Sequence, residues 1–317
     1  MKKKLWTLGI LATLSAAAIY VINKLIFYIS TIDNLLHKDG ENEYNWRFGK
    51  IHYVKKGTGK PLLLLHDLSP VSSSCEWDNV LPLLSKNHTV YTVDLLGCGC
   101  SEKPNLTYTN FLYVQMISDF IKNIVGEPCD IIASGNSAPL ALMACTGDRE
   151  MIDKMIFVNP QNLHDLAKVP TKRSKLLYHF INLPLIGTLL YNILFTKKRV
   201  ESLFETEYYY DPALIEDITV NTFYEAAHTE YMRSRHLFAS MKGNYVNVNL
   251  ASFLPSITNS VFIIHGGGNP MYEADAKLYQ RFLPSIEIIS ISQTKRLPQM
   301  EAPNVFAEQV EILLDPK

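Results

Sequence analysis

Hydrophobic positions along the chain fall into three patterns, and each predicts a different kind of element. After "MKKK" the chain runs from Leu5 to Ile22 without a charge, and apolar sequence resumes after Lys24 as "LIFYI". The 18 residues of the first run, taken as a helix, span roughly 27 Å, close to the hydrocarbon core of a bilayer. A polar segment, "STIDNLLHKDGENEYN", separates this run from "NWRFGKIHYVKKGTGK", two short β-type runs with glycine-containing turns. Six short, nearly continuous hydrophobic runs follow at 61–67, 88–97, 129–135, 154–160, 260–266 and 285–292. Runs of that kind predict strands buried on both faces of a parallel sheet. Stretches such as 108–126 place apolar residues three to four apart and predict helices between the strands. The alternation predicts an α/β fold with right-handed crossovers. One interval, 161–258, contains no strand-like run and reads as helices. An insertion after the end of a strand lies over the sheet edge where α/β folds bind ligands.

Composition narrows the picture. Of 317 residues 47% are apolar, enough to bury a large core. Thirty basic against 31 acidic residues give a net charge of −1, so no basic excess points to nucleic acid. The five cysteines (75, 98, 100, 129, 145) have neither disulfide-framework nor zinc-site spacing, and no metal or cofactor is expected. The N-terminal run has three readings: an uncleaved membrane anchor, a secretory signal cut after Ala16-Ala17-Ala18, or a buried helix. Apolar sequence continuing beyond Ala18 favours the anchor, and the lack of a polar face disfavours a buried helix. The expected organisation is an anchor at 5–28, a tether at 29–43 and a main domain at 44–317. Lys2, Lys3 and Lys4 outweigh Lys24 and Lys38, which places the main domain outside the cytoplasm. Five free-looking thiols sit uneasily with that side.

The candidate chemistry begins at "IIASGNSAPLAL", residues 131–142, a strand, tight turn and helix with Ser137 at the turn. The G-x-S-x-G elbow holds a strained serine above a sheet edge, and here Gly135-Asn136-Ser137-Ala138-Pro139 keeps the first glycine and replaces the second. By itself such a serine is an ordinary helix cap. Three further stretches change its weight. Residues 62–109 resemble an H-G loop followed by D-x-x-G-x-G-x-S-x-x-P, with Asp94, Gly97, Gly99, Ser101 and Pro104 on the pattern. "VFIIHGGGNP" is similar to the strand and turn ending in G-x-x-D-P, and "TKRLPQMEAPNVF" to G-H-x-P-x-x-E-x-P. Together the four resemble the α/β-hydrolase superfamily, in its members with a helical cap, over residues 44–314, and interval 161–258 fits the cap.

The resemblance implies a nucleophile, a base, an acid and two backbone donors for the oxyanion. Ser137 takes the nucleophile position, and the donors would be the N–H groups of Ala138 and Leu68. His66-Asp67 stands where His-Gly is usual. If Asp67 points inward it opposes a developing negative charge, and if outward it is a turn residue. The acid position is Asn269, and the alternative one, before the insertion, is Asn159; an amide at either cannot stabilise an imidazolium. Glu273 and Asp275 read as first-turn helix carboxylates. Arg296 holds the histidine's place, and a guanidinium cannot accept a proton at neutral pH. His265, His228, His236 and Lys295 are the remaining candidates for a base. Arg296 is expected to pair with Asp67 or to await an anion. The apolar stretch 176–195 and "YYYDP" (208–212) either pack the cap or form an apolar pocket or membrane-facing lip.

Two functions stay open. One is a membrane-anchored, catalytically impaired protein that binds a small apolar or anionic ligand, lipid-like ones included. The other is an active hydrolase of esters or related acyl substrates that uses Ser137 with a non-standard base.

Overall fold

The computed structural model describes residues 2–37 and 40–315. Lys38, counted above in the charge bias, and Asp39 fall within the expected tether; with Met1 and the last two residues they lie outside the described residues. All six hydrophobic runs are strands of one eight-stranded sheet. An N-terminal hairpin, β1 (Glu41–Trp46) and β2 (Gly49–Lys56), precedes β3 (Lys60–Leu65), β4 (His88–Val93), β5 (Cys129–Ser134), β6 (Ile152–Val158), β7 (Ser260–Gly266) and β8 (Glu287–Ile291). The order is β1-β2-β4-β3-β5-β6-β7-β8, antiparallel from β1 to β4 and parallel thereafter.

The continuous apolar runs have the cause their pattern predicts, since period-two alternation sends successive side chains into two separate cores. Leu63, Leu65, Ile131, Ala133, Met155 and Phe157 pack on one face, against helices Asn110–Phe120, Ala138–Gly147 and Pro270–Phe282. Leu62, Leu64, Ile132, Ile156 and Val158 pack on the other, against Trp77, Leu84 and helix Pro303–Leu314. Among the described residues none of the five cysteines forms a disulfide.

Between β6 and β7 the chain forms helices and turns without a strand among the described residues. This helical insertion is fastened to the body by its own apolar cluster, in which Phe204, Tyr208 and Phe223 meet Val71, Cys75 and Leu297. The N-terminal run is a single helix, Lys2–Thr31, long and apolar enough to cross a membrane. At 1.5 Å per residue its 30 residues extend roughly 45 Å.

Candidate functional site

The loops that carry the candidate residues converge at the C-terminal ends of β3, β5, β6 and β7. Directly after β3, His66 is fully buried. Its Nδ1–H donates to Asp67 O at 2.7 Å, and Nε2 accepts Leu95 N–H at 3.0 Å. These bonds fix one neutral tautomer, and burial holds its pKa below the usual histidine value. His66 is therefore a structural strut.

Asp67 points inward. Its Oδ2 accepts Arg296 Nη2 at 2.6 Å and Nε at 3.3 Å, while Oδ1 accepts the Asn136 backbone N–H at 2.7 Å and Nδ2 at 2.9 Å. Burial pushes the carboxyl up, but the guanidinium and the Asn136 donors outweigh it and hold Asp67 below the ordinary range. Asp67 in turn raises Arg296, with burial opposing. Behind the pair lies Glu76, fully buried, whose Oε2 accepts Asp67 N–H at 3.1 Å. Burial first, and the Asp67 charge second, push Glu76 up to about 8, so it carries its proton at neutral pH. Nothing in the sequence motifs marked Glu76 or Asn136; three-dimensional proximity to Asp67 identifies both.

The turn after β5 differs from the expected strained serine. Ser137 has φ −81° and ψ −24°, ordinary helical values, and stands at the N-cap position of helix Ala138–Gly147 without a side-chain capping bond. It is fully buried, and its hydroxyl donates to His66 O. The left-handed residue is Gly135, at φ +53°, immediately after the last strand residue, Ser134. A Cβ on Gly135 would stand 2.3 Å from Asp67 Oδ1, so both the turn and the carboxylate require glycine there. The elbow N–H that meets Asp67 belongs to Asn136, one residue past that glycine, whereas Leu68 and Ala138 are simply buried. A signal for this register exists in the sequence: Ala133-x-Gly135-x-Ser137 fits a small-x-x-x-small frame centred on Gly135, two residues before Ser137, the centre of Gly135-x-Ser137-x-Pro139.

Both asparagines at acid positions use their amides structurally. Asn159, left-handed at φ +44°, donates Nδ2–H to Lys295 O at 3.0 Å and Arg296 O at 2.9 Å and accepts Gly266 N–H at 3.2 Å. It ties β6, β7 and the Arg296 loop together. Asn269 caps helix Pro270–Phe282 through Met271 N–H at 3.0 Å. Glu273 pairs with Lys277, and Asp275 accepts from Asn162. His265 Nδ1 lies 3.3 Å from Gly266 O. His228 and His236 bond within the insertion, to Tyr224 O and Asn182 Oδ1, and burial lowers both to about 4. Lys295 Nζ donates to Thr206 O at 3.2 Å. Among the described residues, none of these groups hydrogen-bonds Ser137 Oγ.

A cleft of about 550 Å³ opens above this floor, between body and insertion. Asp67, Asn136 and Arg296 line it from below, with Phe195, Tyr208 and Phe238 opposite; Ser137 does not line it. One further group, His52, Asp94 and Cys100, has the donor types of a metal site. Asp94, however, already accepts His52 Nδ1–H at 3.1 Å, Ser74 N–H at 2.6 Å and Cys100 N–H at 2.8 Å, a saturated hydrogen-bond node.

Residues 62–309 match the family model described as the alpha/beta hydrolase family. Over 114 residues the chain is 35% identical to the 2-hydroxy-6-oxo-6-(2'-aminophenyl)hexa-2,4-dienoic acid hydrolase of Metapseudomonas resinovorans, 35% of this chain and 39% of that protein. Over 110 residues it is 27% identical to the soluble epoxide hydrolase of Corynebacterium sp. (strain C12), 35% of this chain and 38% of that one. The chain thus matches these curated relatives over less than half of their length. Among solved structures, a serine hydrolase involved in carbazole degradation superposes with a TM-score of 0.68 at 18% identity, covering 86% of this chain and 98% of its own. A membrane phospholipase A superposes with a TM-score of 0.66 at 17% identity over 99% of this chain and 98% of its own. At those identities the likeness establishes the fold. With the family pattern matched across most of its length and the sheet in the corresponding order, the chain belongs to the alpha/beta hydrolase family.

Proposed function

We propose that this chain is a membrane-anchored, non-hydrolytic member of its family that binds a small apolar or anionic ligand in the cleft above Asp67 and Arg296. One observation carries the reading: the Asp67 carboxylate lies against the left-handed residue of the elbow, which is a glycine, and Arg296 neutralises it from the histidine's place. A nucleophile elbow presents its reactive side chain from the strained residue at the strand–helix turn, and the next N–H serves the oxyanion. In that frame Gly135 stands at the nucleophile's position and has no side chain to offer. Asn136 N–H, the oxyanion donor, is already given to Asp67. Ser137, the nucleophile position by the G-x-S reading, is buried with its proton committed to a carbonyl. The mixed lining of the cleft, aromatic rings opposite a guanidinium, suits an amphiphile, and lipid-like ligands fit that description. The N-terminal helix supports anchoring, and the fold likeness to a membrane phospholipase A extends over that helix.

A fluorophosphonate probe tests the loss of hydrolysis. The expected result is no labelling of the wild type above a heat-denatured sample, with Ser137→Ala indistinguishable from it. Rapid labelling of the wild type that disappears in Ser137→Ala would establish the alternative, an active ester or acyl hydrolase.

A further inference from the structure

Beyond its uncharged run, the N-terminal helix has two distinct faces. Asn23, Phe27 and Ser30 turn toward the helical insertion. Asn23 Oδ1 accepts Asn192 Nδ2–H at 2.9 Å, its own Nδ2–H reaches Leu185 O at 3.3 Å, and Phe27 stacks on Tyr231 at 4.1 Å between centroids. Just past the helix, Leu35 N–H donates to Glu225 Oε2 at 2.9 Å, and Leu36 is buried. On the opposite face Leu25, Tyr28, Ile29 and Ile32, spaced three and four apart, are all more than half exposed. Segment 23–36 is thus docked on the protein along one side and apolar on the other. A solvated tether has neither property.

The contact with Leu185 locates a second apolar feature. Helices Lys172–Ile181 and Ile186–Leu194 meet at 98°, and Leu185 lies in the bend between them. Leu183 and Ile186 flank Leu185 and are exposed, as are Leu176 and Phe180 on the first helix. Asn23 and Lys24 close the uncharged run, so the bend stands beside the helix at the depth where that run ends. Exposed basic residues bracket the bent pair: Lys172, Arg173 and Lys175 on one side, Lys197, Lys198 and Arg199 on the other.

We infer that the outer face of helix residues 25–32 and the bend at 181–186 form one surface seated in the interfacial layer of a bilayer rich in anionic headgroups. The inference rests on the anchoring reading above and extends it: the helical insertion, and with it the cleft, is clamped at the membrane surface. The surface is continuous with the apolar run of the same helix. Its basic border suits anionic lipids and would repel a second copy of itself. The second helix of the bend runs from this surface to Phe195, which lines the cleft.

The test uses the full chain in nanodiscs of phosphatidylcholine and phosphatidylglycerol, with the environment-sensitive label NBD on single introduced cysteines and nitroxide-bearing lipids as quenchers. Leu11→Cys reports the run, Leu183→Cys and Ile32→Cys the proposed seat, and Ile312→Cys an exposed site on helix Pro303–Leu314; the wild type is the labelling blank. The expected result is deep quenching at Leu11→Cys and headgroup-level quenching at Leu183→Cys and Ile32→Cys, several-fold above Ile312→Cys. Quenching at Leu11→Cys with the seat positions no better quenched than Ile312→Cys would overturn the seat and leave the anchor standing. No quenching at Leu11→Cys would overturn both. Disulfide cross-linking between copies through Leu183→Cys, without lipid quenching, would assign the surface to a second chain and overturn the inference.

Discussion

Replacing Arg296 with methionine tests whether the floor of the cleft is a coupled charge pair. Asp67 is 3% exposed, and its Oδ2 takes both hydrogen bonds from the guanidinium. Removing one partner of a buried pair costs about 3–5 kcal/mol, and the two Asn136 donors that remain on Oδ1 put this case near 3 kcal/mol. Asp67→Asn should cost less, about 1–2 kcal/mol, because the Arg296 side chain keeps 19% exposure and can hydrate in the cleft. With both partners neutral the penalties overlap, so the double variant should fall short of additivity by about 2–3 kcal/mol. Urea unfolding of the full chain in detergent micelles, followed by the fluorescence of buried Trp46 and Trp77, reads these differences. The pH dependence supplies an independent sign. In the wild type the folded Asp67 pKa is depressed, so its contribution is present above the unfolded value and lost as pH falls through the folded one. In Arg296→Met burial acts with less opposition and raises the folded pKa, so the deficit against wild type should shrink between pH 7 and pH 4. Additive single effects, or a deficit that does not change with pH, would refute the coupled pair.

Three further outcomes follow from the same geometry. Glu76 is raised from 4.5 to about 8, so its contribution is complete below pH 4.5 and lost as pH rises through 8; Glu76→Gln should become more stable relative to wild type across that window, by about 4 kcal/mol at pH 8. The quantity to read is the difference between the two proteins, because neutral buried His66, His228 and His236 impose the opposite slope below about pH 6.5 in both. Asn159→Asp replaces the NH2 group that donates twice with one oxygen facing the carbonyls of Lys295 and Arg296, and unfolding should show a loss of about 2–3 kcal/mol, whereas Asn269→Asp, still a helix cap, should be near neutral. Arg296→His with Asn269→Asp should remain inert toward p-nitrophenyl esters; adding Gly135→Ser with Asp67→Gly should be the first combination to give fluorophosphonate labelling, and labelling of the two-residue variant would overturn the elbow register.

The strands were legible because burial on both faces leaves a run no polar position, and Leu62 to Leu65 show that cause directly. The helical insertion was legible for the opposite reason, a long stretch with no such run. Arg296 and Asp67 were visible as departures from a motif, and their meeting across 229 residues followed from the loops that carry them. The elbow register proposed above stood out less. Ser137 lies in a frame with the expected serine, while Gly135 lies in one that differs only in where the strand ends, and hydrophobicity does not resolve a two-residue shift at a turn. Asn159 read as a lost acid because its sequence position carries no trace of the two carbonyls it holds. Within segment 29–43, the partner of Leu35 N–H is Glu225 of the insertion, far along the chain, and the sequence carries no mark of it.

The three changed positions depend on one another. Asp67 can turn inward only because position 135 has no Cβ, and it can stay ionised there only because Arg296 and Asn136 supply four donors to its two oxygens. Arg296 in turn would stand unpaired over an elbow built to hold negative charge if Asp67 were glycine. A site that had merely lost its catalytic groups would be expected to keep unpaired buried polar atoms, each costing about 1–3 kcal/mol. Here both Asp67 oxygens, the elbow N–H and the guanidinium are engaged, with Glu76 Oε1 behind them the exception, and the neighbouring loop is held by Asn159 and by Glu301, which accepts Lys295 N–H at 2.7 Å. The arrangement places one fixed guanidinium, partly open to the cleft, beyond the C-terminal ends of the strands. On the function proposed above, a guanidinium held this way is the reason to seek a ligand in the cleft above Arg296 rather than at Ser137 beneath it.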